Sequence, residues 1–207
     1  MWPGRKISTM NKTNIEWCDY TWNPITGCRR GCSYCYARRI HERFNKTPFS
    51  EIIFHPKRMY DLDKLKGGEI VFVGSMSDIE YWNPENTKAI LKDCSACPKT
   101  TFMFLSKSCF SYRGFLWPPN TMQGLTITHG LFQSGPLRDM GIHRRSFLSI
   151  EPLMGIVGDI PSHFEKIIVG AMTGPGAKPP EKKWIQSVIN NVPADKIFWK
   201  SNINEYL

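Results

Sequence analysis

The sequence predicts an α/β fold, an incomplete TIM-like (β/α) barrel with six to seven parallel strands. Three observations predict it. Short apolar runs, several rich in β-branched or aromatic residues, recur along the chain and do not alternate, as in strands covered on both faces. Segments with helix-start signals lie between them. The 207 residues fall short of the ~250 of a full eightfold barrel. A doubly wound open sheet is the alternative, and the lack of a GxGxxG after the first run counts against a dinucleotide fold.

Taken in order, residues 1–14 read as a flexible N-terminal arm, and residues 15–207 as a single domain. The arm is basic but has no apolar stretch of the secretory kind. YTWNPIT (Tyr20–Thr26) is a weak first strand. The stronger runs are EIVFVGS (Glu69–Ser75), TFMFLS (Thr101–Ser106), MQGLTIT (Met122–Thr128), SFLSIE (Ser146–Glu151), KIIVGA (Lys166–Ala171) and KIFWKS (Lys196–Ser201). YARRIHERF after Cys35 has a helical pattern, with Ile40 and Phe44 four apart. Asn83-Pro84-Glu85 offers an N-cap, a proline at the first helical position and an early acid. Pro179-Pro180-Glu181 repeats that signal, and LRDMGI is a shorter helical candidate.

Composition sets the setting. No run approaches the ~20 apolar residues of a membrane span, so no membrane association is expected. Lys plus Arg is 27 against 18 Asp plus Glu, a formal charge of +9. That excess points to an anionic partner, such as a nucleotide or nucleic acid, or to solubility alone. The densest basic cluster, Arg29, Arg30, Arg38, Arg39 and Arg43, surrounds the cysteines. Seven cysteines, an odd number, argue against a disulfide framework and for a reduced, cytoplasmic protein with thiols as metal ligands.

Cys28, Cys32 and Cys35 stand as C-x3-C-x2-C in the loop before the first helix. With Gly27 and Gly31 in the turn, three thiolates can converge on one metal there. Zinc is one candidate, with His41 as a fourth ligand. An iron–sulfur cluster is the other, since such clusters are held by cysteine thiolates. Three thiolates for four irons leave one iron open, as a catalytic metal requires. Cys94 and Cys97 form a second C-x2-C, with Cys109 beyond. They read as small hydrophobes more readily than as ligands.

Nearly every apolar run turns polar at its C-terminal end, the edge at which α/β sheets bind ligands. Ser75, Ser77 and Asp78 follow one run, Thr128 and Glu151 end two others, and Lys107 and Lys200 follow two more. The lysines are candidate holders of a substrate phosphate or carboxylate. A carboxylate at the end of an apolar run needs a partner.

The spacing of Cys28, Cys32 and Cys35, with Tyr34 before the third cysteine, resembles the signature of radical S-adenosylmethionine (SAM) enzymes. The stretches TWNPITGCRRGCSYCYA, SIEPLMG and IIVGAMTGPGAKP resemble the motifs of a phage- and prokaryote-associated radical-SAM-like family of undefined function. This resemblance implies a partial or full (β/α) barrel carrying a 4Fe–4S cluster on Cys28, Cys32 and Cys35. It implies cleavage of SAM to methionine and a 5′-deoxyadenosyl radical, which abstracts a hydrogen from the substrate. It also implies an electron donor such as flavodoxin or ferredoxin. SAM would be met by Tyr34, Ser75, Ser77, Thr128, Glu151, Gly170 and Ala171. Ala171-Met172 stands where many members carry an acidic residue. The alternative is a zinc- or cluster-stabilised nucleic-acid-binding module without catalysis.

Overall fold

The computed structural model describes residues 10–130 and 145–207. The helical candidate LRDMGI (137–142) lies outside them. The chain divides into two compact units. One takes the described part of Met1–Arg30, with Ala37–Phe104 and Trp117–Thr121; the other takes Gly31–Tyr36, Leu105–Leu116 and the described part of Met122–Leu207.

In the first unit, β1 (Asn11–Lys12) pairs antiparallel with β2 (Tyr20–Trp22). Asn11 and Lys12 lie in the stretch read as a loose arm, yet they form a short edge strand. The expected first strand is split at Asn23-Pro24. Its second half, β3 (Ile25–Thr26), joins an antiparallel ribbon with β4 (Ile53–Phe54), and α1 (Tyr36–Phe44) lies between the two in sequence. Proline at position 24 removes a ladder donor, so β2 ends before it. β2 pairs parallel with β5 (Ile70–Val73), and β5 with β6 (Thr101–Ser106). Trp22 is fully buried, and its indole N–H donates to the Arg58 carbonyl at 2.8 Å.

The helix α2 (Pro84–Ser95) starts where its signals said it would. Asn83 Oδ1 accepts from the Glu85 N–H at 2.8 Å, and Pro84 supplies the pre-set φ. Its buried face holds Ile90, Leu91 and Cys94. Each such aliphatic burial stabilises by about 1.5–3 kcal/mol.

In the second unit, β7 (Thr121–Ile127, of which Thr121 belongs to the first unit) pairs parallel with β8 (Ser146–Ile150), β8 with β9 (Lys166–Val169) and β9 with β10 (Ile197–Trp199). Every residue of β8 is buried, which is why the run is continuous and not alternating. A Cβ at Gly124 would run into the Phe147 ring, so β7 can bear only glycine opposite that phenylalanine. α3 (Lys182–Asn191) buries Ile185 and Val188.

The strands form one eight-stranded sheet in the order β1-β2-β5-β6-β7-β8-β9-β10. It is mostly parallel and does not close into a barrel. The parallel sheet agrees with the sequence expectation. Seven of the eight strands lie in parallel pairs, as the expected six to seven parallel strands required; the eighth, the two-residue antiparallel edge β1, is too short to register as an apolar run. Among the described residues, no helix is long and apolar enough to cross a membrane.

Candidate functional site

The cysteine loop begins as a continuation of the sheet. Gly27 bridges in parallel to Ser77, and its N–H donates to the Met76 carbonyl at 3.0 Å. The next N–H, of Cys28, donates to the Phe49 carbonyl at 2.7 Å. Gly27 has φ 96°, and a Cβ there would collide with the Glu51 carbonyl oxygen. Only glycine can make this entry. Gly31 makes the second turn, with φ 75°.

Cys28, Cys32 and Cys35 are half-buried and take part in no disulfide. Among the described residues, no three His, Cys, Asp or Glu side chains are gathered as a metal set. The fit to an iron–sulfur cluster therefore rests on the donor chemistry: three thiols on one loop, none of them oxidised to a disulfide and none of them in the core. The fit to zinc is poorer. His41 is buried, with Nε2 2.8 Å from the Thr47 carbonyl oxygen and its ring 5.3 Å from that of Phe49. The imidazole is already engaged away from a ligand role.

Arg30 anchors the first unit's end of the loop. Its guanidinium pairs with Glu80 and lies 3.6 Å from Asp78. Asp78 is buried and accepts from the Glu80 N–H at 3.1 Å, capping the turn after β5. The two serines of that turn serve it as well. Ser75 Oγ donates to Asn23 Oδ1 at 3.1 Å, and Ser77 Oγ accepts from the Trp82 indole at 2.9 Å. Asn23 Oδ1 also accepts from the Met76 N–H at 2.9 Å. Asn23 thus organises the turn, a role that sequence reading missed. The one signal was an amide interrupting an apolar run.

In the second unit, four of the sequence-selected residues meet in pairs. Lys107 Nζ lies 5.2 Å from the centre of the Tyr34 ring, a cation–π contact. Lys200 pairs with Glu151 Oε1. Their side chains are only 16% and 26% exposed. Gly170 lies against this pair: a Cβ there would stand 3.0 Å from Lys200 Cδ and 3.1 Å from Glu151 Cδ. Ala171 exchanges two hydrogen bonds with the Asn202 amide, at 3.3 and 3.0 Å. Asn202 is a second residue that sequence reading missed, since nothing in a short C-terminal SNIN marks it. Thr128 Oγ1 lies 2.9 Å from His129 Nδ1.

In the other C-x2-C, Cys94 is buried and Cys97 half-buried. Burial pushes the thiols of both Cys94 and Cys97 up, with the Asp93 carboxylate adding to the effect. Asn120 Nδ2 lies within 3.0 Å of the carbonyl oxygens of Cys94, Cys97 and Thr100, closing the end of α2.

Among solved structures, the chain is similar to a spore photoproduct lyase, a double mutant with bound AdoMet and dinucleoside spore photoproduct. The match has a TM-score of 0.54 at 10% identity and covers 91% of this chain and 66% of that one. At that identity the likeness shows the fold. This chain spans 66% of that protein's length. No curated protein matches the chain. Residues 12–202 match the model of a protein family of unknown function, DUF5131, so the chain belongs to that family.

Proposed function

We propose that this protein is a radical SAM enzyme that binds a 4Fe–4S cluster through Cys28, Cys32 and Cys35. The observation that carries the reading is the C-x3-C-x2-C loop itself, set between the first strands of a mostly parallel sheet and α1. A fold likeness to a protein that binds AdoMet supports it. The bound cluster would supply the electron that cleaves SAM to methionine and a 5′-deoxyadenosyl radical. A flavodoxin or ferredoxin would deliver that electron, and an anionic or nucleotide substrate would yield the hydrogen.

The chain's own residues would bind and orient. Gly27 and Arg30 hold the entry of the loop. Tyr34 would pack near the cofactor, and Ser75, Ser77 and Thr128 would line the strand ends. Glu151 keeps Oε2 without a hydrogen bond among the described residues, so this oxygen can accept from a ribose hydroxyl. Gly170 and Ala171 would offer a close backbone approach. Lys107 and Lys200 would supply positive charge toward the substrate.

The test is anaerobic reconstitution. About four irons and four sulfides per chain are expected, and Cys28→Ala, Cys32→Ala or Cys35→Ala should abolish them. SAM should change the paramagnetic resonance spectrum of the reduced cluster, and dithionite should then release 5′-deoxyadenosine. Stoichiometric zinc without labile sulfide would overturn the reading and leave the nucleic-acid-binding module in its place.

A further inference from the structure

The first unit contains a cavity of about 320 Å³ that touches none of the residues assigned above to SAM. Its apolar lining is Ile25 of β3, Phe54 of β4 and Ile52 before it, and Tyr81 and Trp82 add aromatic rings. Trp82 is held in place: it is buried, its indole N–H donates to Ser77, and its ring meets Phe104 edge-on with centroids 6.3 Å apart.

The polar groups of the cavity are Arg29, Asn83 and Asn86. Asn83 uses Oδ1 to cap α2, which leaves its NH₂ group as a donor. Asn86 makes no side-chain hydrogen bond, and Arg29 no ion pair, among the described residues. The contrast with Arg30 is instructive. One arginine of the CRRGC loop pairs with acids of its own unit, while its neighbour borders a cavity with its charge unmatched.

We propose that this cavity binds a nucleoside monophosphate. Aromatic faces stack on a flat heterocycle regardless of its identity. Carboxamides read the hydrogen-bonding edge of a base. A guanidinium matches the oxygens of a phosphate. A single cavity that combines the three suits a base joined to an anion. Its volume lies at the lower end of small-molecule pockets, ~300–1,000 Å³, which suits one nucleotide and not two. The inference goes beyond the radical SAM reading, since Cys28, Cys32 and Cys35 do not line the cavity.

Calorimetry on the reconstituted full-length chain tests it, with the four common nucleoside 5′-monophosphates, the matching nucleosides and inorganic phosphate as titrants. At least one monophosphate should bind about tenfold more tightly than its nucleoside and than phosphate, the effect of a charge-assisted hydrogen bond. Arg29→Gln should erase about that factor. Asn86→Leu, on the first turn of α2, should weaken binding without touching the loop that carries Arg29. Circular dichroism checks that each variant folds. Iron and sulfide counted on the same samples separate a failure here from a failure of cluster loading. No binding by any monophosphate, binding that both variants leave intact, or binding of an oligonucleotide but no mononucleotide would overturn the proposal.

Discussion

Glu151→Gln is the most informative single change. It keeps size and leaves an oxygen to accept from Lys200, but removes the charge. The pair is partly screened, with side chains 26% and 16% exposed. A fully exposed pair contributes about 0–1 kcal/mol, and breaking a buried one costs about 3–5. Replacing a charge-assisted hydrogen bond by a neutral one loses about 1–1.5 kcal/mol. Together these give a loss of about 1–2 kcal/mol. At about 2–4 °C per kcal/mol for a chain of this size, Tm should fall by roughly 2–8 °C. Lys200→Met completes a double-mutant cycle, and a coupling of about 1 kcal/mol is expected. The assay is thermal unfolding of the four proteins, with iron content and SAM affinity measured on the same preparations. An unchanged Tm with zero coupling would refute the reasoning. If SAM affinity fell at the same time, the carboxylate would belong to the cofactor and not to Lys200.

Further changes address other sites. Gly27→Ala would drive a methyl group into the Glu51 carbonyl at a positive φ, so it should lose cluster loading, or folding, in iron analysis and circular dichroism. Gly170→Ala should lower Tm in the parent but less in a Glu151→Ala background, because its Cβ would crowd the Glu151–Lys200 pair. Asn23→Ala removes the acceptor for Ser75 and Met76, and should cost about 1–3 kcal/mol in denaturant unfolding. Glu69 carries a pH signature. The Lys66 N–H above all, with the Gly67 N–H and the Thr100 hydroxyl, holds its carboxyl below the usual range. The depressed folded-state pKa gives stability that is present above the unfolded value of ~4.3 and is lost as pH falls through the folded one. Glu69→Gln should flatten that part of the Tm–pH curve, and an unaltered curve would count against it.

The strands were legible because β5 to β9 are largely buried on both faces, which leaves uninterrupted apolar runs. The start of α2 was legible because Asn83-Pro84-Glu85 acts through local bonds; α3 starts later than Pro179-Pro180-Glu181 suggested, with Glu181 at its cap and no side-chain cap bond. The ribbon β3–β4 was not. Each arm is two residues long, and Ile25 and Phe54 pair across a long stretch of sequence that no local pattern spans. In the candidate site, the strand-end polar residues were found where the runs stop, but their partners were not. Glu151 and Lys200, or Ala171 and Asn202, meet only because β8, β9 and β10 are neighbours in the sheet. Asn23 was hidden because its action is through its amide on a turn that lies far along the chain.

The entry of the cysteine loop has a consequence for the proposed cluster. Gly27 and Cys28 are fixed by backbone bonds to Met76 and Phe49, and these bonds need no metal. In small zinc modules the free energy of metal binding is the free energy of folding. Here the foot of the loop belongs to a sheet that stands on its own buried strands. If the proposed cluster is held by Cys28, Cys32 and Cys35, its destruction by oxygen would leave a folded chain with the loop's first cysteine still in position, able to accept new iron and sulfide without passing through the unfolded state.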